Sequence, residues 1–123
     1  MARPDRDQAS ALLAPTLAFF TYYTFVIVVF ACVYRIVDQV IPGPHFTILG
    51  SDRGITFLEG LYFSVITLST VGYGDLVPAS ALVRAIAALQ IVIGVWLIIF
   101  GFSEMLRYAR ERDWRDQRRH GRH

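Results

Sequence analysis

The stretch TLSTVGYGDLVP, residues 67–78, lies between two long apolar segments of a 123-residue chain. Two glycines, Gly72 and Gly74, flank Tyr73, and Asp75 follows. The run leading in, residues 60–71, is apolar or weakly polar and too short to cross a bilayer. A stretch of that length is expected to be a re-entrant or interfacial element. TFLEGLYFSVITLST has helical composition, with Thr56 placed to cap the N-terminus and Glu59 in the first turn. That helix stops at VGYG, where glycines permit positive φ. Irregular backbone at membrane depth is tolerated only where it is buried in protein or lines a water-filled cavity. One copy of so small a chain cannot surround its own loop, whereas several copies about an axis can.

The flanking segments set the frame. Residues 12–34 and 85–103 carry no charge, and as helices they extend roughly 35 and 28 Å. A bilayer hydrocarbon core is about 30 Å thick. The apolar fraction is 54%, and a chain of this size could hardly bury two such helices on all sides. A secretory signal fits poorly, because the stretch is too long and Arg3 and Arg6 are offset by Asp5 and Asp7. The chain has no lysine. Arginines concentrate after Glu104, at 107, 110, 112, 115, 118, 119 and 122, against Arg35, Arg53 and Arg84 between the spans. That asymmetry places the tail, and with two spans the N-terminus too, on the cytoplasmic side of a cell membrane. Attraction to anionic lipid headgroups accounts for a tethered basic tail more simply than nucleic acid does.

The expected order is a cytoplasmic N-terminal segment 1–10, an outer helix 12–38, an outer loop 39–55, a short re-entrant helix 56–69, a glycine-broken stretch 70–75, an inner helix 79–106 and a basic cytoplasmic tail 107–123. Pro15 suits a first helical turn, and IPGPHF ends the outer helix. Cys32 is alone and reads as a small apolar residue. His45, in the outer loop, is expected at the surface. The glycines do not make a dinucleotide fingerprint, since G-x-G-x-x-G fails at Val77 and no strand is expected before it.

Thr67, Ser69, Thr70, Val71, Gly72, Tyr73, Gly74 and Asp75 match the signature of potassium channels. The chain resembles a two-helix bacterial potassium channel of the proton-activated type over residues 12–110. The resemblance implies an all-α membrane protein: two transmembrane helices with a re-entrant pore helix and filter loop, tetrameric around a central pore. It implies K+ as the permeant ion and no enzyme activity. The physical reason stands beside it. A dehydrated cation needs oxygens in place of water. Alternating left- and right-handed residues turn successive carbonyls the same way, and Gly72 and Gly74 allow the left-handed steps. The carbonyls of Thr70, Val71, Gly72 and Tyr73, with the Thr70 hydroxyl, would then form rings for K+. Tyr73 is expected to pack on Tyr62 and Phe63.

The sequence departs from these relatives around Asp75. Ile66 stands where many carry a glutamate that pairs with this aspartate, and Tyr62 and Phe63 stand where many carry a tryptophan pair. Asp75 is left to Tyr62, Arg84 or solvent, and inactivation is expected to differ. By resemblance, Gly94 is the inner-helix hinge, with close helix packing the alternative. Ile98, Phe102 and Leu106 line the cytoplasmic half of the pore, Phe102 being the expected constriction, and Trp96 faces away. Glu104, Arg107 and Glu111 are spaced to pair on a helix and, by resemblance, supply a proton sensor, with His120 farther along; a solvated charged face is the simpler account. No voltage-sensing helix is expected before the pore. Two other classes stay open: a non-conducting subunit that regulates another channel, and a poorly selective cation channel.

Overall fold

The computed structural model describes residues 4–121, with side chains from Leu13 onward. Helix α1 runs Pro4–Val40, α2 Phe57–Leu68 and α3 Ala81–His120; strands β1 Phe46–Ile48 and β2 Ser51–Asp52 separate α1 from α2, and β3 Leu76–Pro78 precedes α3. Helix α1 starts ahead of the expected 12–38, so Pro15 sits inside it rather than in its first turn. Of the expected N-terminal segment, residues 1–3 lie outside the described residues, as do residues 122–123 of the tail. The outer and inner helices hold spans of mean hydropathy 2.1 and 2.5, yet only 11% and 17% of their apolar windows is buried within the chain. A core helix of a soluble protein would be covered by its own chain; these are not.

The chain forms two compact units, Tyr22–Val95, and Met1–Thr21 with Trp96–His123. In the first, a core of Tyr34, Phe46, Ile55, Phe63, Ile66, Leu76, Val83 and Ala87 joins the helices to the outer loop. Tyr34, Phe46 and Phe63 meet edge to face, with centroids 5.0–6.0 Å apart, the arrangement aromatic quadrupoles favour.

The all-helical expectation needs amending. The outer loop and the segment after the filter form an antiparallel sheet of order β2-β1-β3. Thr47 pairs with Asp52 across the hairpin and with Val77 on the other side. Leu49 and Gly50 take φ of 49° and 82°, as a two-residue type I′ turn requires. The Leu49 N–H donates to the Asp75 carbonyl at 2.9 Å, and the Ala79 N–H to the His45 carbonyl at 2.8 Å. The backbone leaving the filter is thereby stitched to the outer loop.

His45 is also corrected: it is buried. Its Nε2 lies 2.9 Å from the Ile41 carbonyl, which only accepts, so this nitrogen carries the proton. Its Nδ1 lies 2.8 Å from the Ser80 hydroxyl, whose oxygen also accepts the Val83 N–H at 3.3 Å. One imidazole thus ties the end of α1 to the N-cap of α3.

In the second unit, the Gly101 position of α3 is closely approached by Phe19 of α1. A Cβ there would stand 2.5 Å from the ring. Trp96 and Phe100 stack at 5.9 Å on an exposed face of the same helix.

Candidate functional site

Helix α2 is built to point its C-terminus at the GYG segment. At its start, Thr56 is the N-cap, as expected, and with Glu59 it forms a capping box: Thr56 Oγ1 accepts the Glu59 N–H at 3.2 Å, and Glu59 Oε2 accepts the Thr56 N–H at 2.8 Å. Arg53 grips Glu59 through both terminal nitrogens, at 2.6 and 3.2 Å. With the Thr56 backbone, that guanidinium lowers the Glu59 carboxyl to about 2. Just upstream, Asp38 Oδ2 accepts the Ile55 N–H at 2.9 Å, and Arg35 donates to the Ile55 carbonyl at 2.5 Å. The end of α1 thus fixes the entry to α2.

Midway along α2, a buried polar network ties the helix to both neighbours. The Tyr34 hydroxyl donates to Gln90 Oε1 at 2.6 Å. Gln90 Nε2 donates to the Ser64 hydroxyl at 2.6 Å and the Ser64 carbonyl at 3.1 Å. The Ser64 hydroxyl donates to the Ile27 carbonyl of α1 at 2.8 Å. Gln90 and Ser64 are fully enclosed. In surroundings this apolar each group needs its partner, so the network fixes the rotation of α2. The sequence reading missed it, though a glutamine inside an uncharged span was the available signal.

At its C-terminal end the chain leaves helix in a defined way. The Thr70 N–H donates to the Thr67 carbonyl and the Gly72 N–H to the Ile66 carbonyl, both at 3.1 Å. Positive φ recurs at every second residue: Thr70 at 60°, Gly72 at 51° and Gly74 at 85°. The alternation expected from the two glycines therefore starts one step earlier. Thr70 is β-branched, and the left-handed region costs such a residue roughly 1–2 kcal/mol. Nothing lies within 4 Å of a Cβ built on Gly72 or Gly74. Conformation, and not space within this chain, requires glycine there.

Asp75 keeps one side-chain partner of those considered from sequence. Tyr62 Oη donates to its Oδ2 at 2.9 Å, whereas Arg84 turns its Nε to the Pro78 carbonyl at 3.2 Å. Oδ1 of Asp75 is buried and, among the described residues, accepts no hydrogen bond. Ile66, at the position of the relatives' glutamate, is buried in the core. The expected packing of Tyr73 on Phe63 is not what one chain shows. Phe63 sits in the Tyr34–Phe46 cluster, and Tyr73 is 73% exposed. Beside the loop lies a cavity of about 480 Å³, lined by Phe63, Ile66, Thr67, Thr70, Gly72 and Ala87 among others.

Gly94 lies against the end of α2. A Cβ there would stand 2.6 Å from Leu68 Cδ1 and 3.4 Å from the Leu68 carbonyl oxygen, so close packing alone is reason for a glycine. In the other unit, Ile98, Phe102 and Leu106 are exposed along α3. Arg107 and Glu104 approach to 3.8 Å, both well exposed, and an ion pair so placed adds little stability. Glu111 lies on the same helix. Among the described residues no cluster of histidine, cysteine or carboxylate suits a metal ion.

The family model described as ion channel matches residues 17–111. "Probable potassium channel protein 2" of Methanocaldococcus jannaschii is 36% identical over 59 residues, 48% of this chain and 17% of that one. "Two pore potassium channel b" of Oryza sativa subsp. japonica is 38% identical over 64 residues, 52% of this chain and 18% of that one. "Potassium channel subfamily K member 16" of Homo sapiens is 32% identical over 105 residues, 79% of this chain and 29% of that one. The chain thus spans less than a third of the length of each of these relatives.

Proposed function

Because the chain belongs to the ion-channel family, a family of channels and not of enzymes, we propose that it is one subunit of a homotetrameric, potassium-selective channel. Potassium would pass down its electrochemical gradient through a filter made by Thr70, Val71, Gly72, Tyr73 and Gly74. The observation that carries this reading is the φ alternation at Thr70, Gly72 and Gly74, which turns successive carbonyls to one side. Four such loops around an axis give stacked oxygen rings that replace the water of a dehydrated cation. The exposed Tyr73 and the open cavity beside the loop fit a chain whose filter is completed by its neighbours. The names of the relatives point to potassium as the ion.

In this reading α2 is the re-entrant pore helix, supported by Tyr62, Phe63, Ile66, Thr67 and Asp75. Its C-terminal dipole favours a cation beyond it. The spans in α1 and α3 cross the cell membrane with both termini in the cytoplasm, and the basic tail lies near anionic lipid. Gly94 supports the inner helix beside α2. Ile98, Phe102 and Leu106 face the pore, where a hydrophobic ring closes it by dewetting. Glu104, Arg107 and Glu111 lie just below as a candidate proton sensor.

The test is flux from potassium-loaded vesicles holding the purified tetramer, with and without barium, across a pH series. Barium-blocked potassium efflux supports the reading. Silence at every pH from an intact tetramer moves the weight to a regulatory subunit that does not conduct alone.

A further inference from the structure

The turn of the outer hairpin holds a backbone group just past the GYG loop. Positive φ recurs at Thr70, Gly72 and Gly74 and then stops. The next carbonyl, that of Asp75, accepts the Leu49 N–H at 2.9 Å. It is thereby turned to the outer loop and withdrawn from the run of alternating peptides. Beyond it β3 is paired along its whole length, Leu76 with Ile48, Val77 with Thr47 and Pro78 with Phe46. The Ala79 N–H closes this strip on the His45 carbonyl.

The donor is held firmly, and in a strained form. Leu49 takes φ of 49°, a region that crowds any Cβ, and its side chain is 83% exposed, so packing does not offset the strain. A glycine would fit this turn more easily. Strained residues persist where the surroundings fix them, and they concentrate where their geometry is used. Here the strand behind the turn does the fixing. Phe46 is fully enclosed against Tyr34 and Phe63. The His45 imidazole is bonded to the Ile41 carbonyl and the Ser80 hydroxyl. Across the hairpin, Thr47 Oγ1 donates to Asp52 Oδ1 at 2.5 Å.

We propose that the Leu49 N–H is a positioning group for the filter: by holding the Asp75 carbonyl it ends the alternation at Gly74 and keeps the outermost peptides from rotating. The proposal rests on the filter reading above and adds to it a residue outside the loop. Tyr62 fixes the Asp75 carboxylate; Leu49 fixes the peptide plane beside it. That peptide turns as one unit, so freeing its carbonyl lets ψ of Asp75 change and passes the rotation to Gly74. Glycine has several backbone minima open to it. A glycine next to an unheld peptide is then the place where the loop leaves its conducting form.

The experiment places the α-hydroxy acid of leucine at position 49 of the full chain, so that an ester replaces the amide, the N–H is lost and the side chain stays. Potassium current is recorded from the purified protein in a planar bilayer. Open-state decay is expected to quicken about fivefold, the contribution of one backbone hydrogen bond. Leu49→Gly keeps the donor and relieves the strain, so decay should slow. Thr47→Val removes the bond to Asp52 and leaves the Leu49 N–H in place; it should lower the unfolding midpoint without changing decay. Ester decay equal to that of the unsubstituted chain overturns the proposal. So does equal quickening in Thr47→Val, which would make the hairpin a general brace. If the ester chain does not assemble, Leu49→Gly decides: slower decay supports the proposal, and equal or faster decay overturns it. Deuterium exchange at the Gly72 amide, held by the Ile66 carbonyl, needs no conduction. It should run about fivefold faster in the ester chain, with the amides of α2 unchanged. Unchanged Gly72 exchange counts against the proposal even in a chain that passes no current. Faster exchange in a silent chain leaves the positioning role standing and removes the conduction reading instead.

Discussion

Replacing Gln90 by leucine tests the buried network that fixes α2. Leucine fills similar space but leaves the Tyr34 hydroxyl without an acceptor, and removes both Gln90 hydrogen bonds to Ser64. The Ser64 hydroxyl keeps the Ile27 carbonyl. Interhelical hydrogen bonds in a membrane protein average about 0.6 kcal/mol each, so the lost bonds amount to about 2 kcal/mol. An orphaned buried hydroxyl adds about 1–2 kcal/mol more. The expected loss is about 3 kcal/mol, or roughly 10 °C in midpoint for a domain of this size. Removing the orphan as well, in Gln90→Leu/Tyr34→Phe, should return about a third of that, because deleting both partners of a buried pair costs less than deleting one. The assay is thermal unfolding of the purified protein, followed by tryptophan emission. A Gln90→Leu midpoint equal to or above that of the unsubstituted chain would refute the reasoning. A double variant less stable than the single one would show that the Tyr34 hydroxyl is not orphaned when Gln90 is gone.

Tyr62→Phe removes the hydrogen bond to Asp75 Oδ2 and leaves both carboxylate oxygens without a protein donor; current decay in the open state should quicken about fivefold, given about 1 kcal/mol for a partly exposed bond to a charge. Ile66→Glu should change the same decay, whereas identical kinetics would detach Asp75 from inactivation. Gly94→Ala should lose about 1–2 kcal/mol of stability through overpacking on Leu68, and Leu68→Ala in the same chain should relieve it; a Gly94→Ala protein as stable as the original would remove the packing argument. Glu59 is held below its ordinary carboxyl value by Arg53 and the Thr56 backbone. Its contribution to stability is present above the unfolded value near 4.5 and is lost as pH falls toward 2. Arg53→Gln should shrink that acid-side loss, read as the pH dependence of the unfolding midpoint.

The plan of the chain was legible because its strongest signals are local. Two uncharged stretches of spanning length, an N-cap at Thr56 with Glu59 in the first turn, and glycines at 72 and 74 each mark one place in one element. What the reading missed depends on pairing between distant residues. Strands of two or three residues have no periodicity to detect, and Phe46 finds Pro78 only across all of α2 and the glycine loop. His45 is buried because Ile41 and Ser80 converge on it, and nothing in IPGPHF says so. The left-handed Thr70 was hidden because only glycine advertises positive φ; here the carbonyls of Ile66 and Thr67 accept the N–H groups on either side of Val71 and hold the turn. Phe63 joins Tyr34 and Phe46 in an aromatic cluster set by two residues outside the motif.

The central claim is that the loop from Thr70 to Gly74 selects potassium. The most direct measurement is the reversal potential of the purified protein in a planar bilayer, with potassium on one side and sodium on the other. Reversal close to the potassium equilibrium potential, with current blocked by barium, is the expected result. Reversal near zero would mean that the two ions pass alike, and that the alternating backbone at Thr70, Gly72 and Gly74 does not make a selective filter.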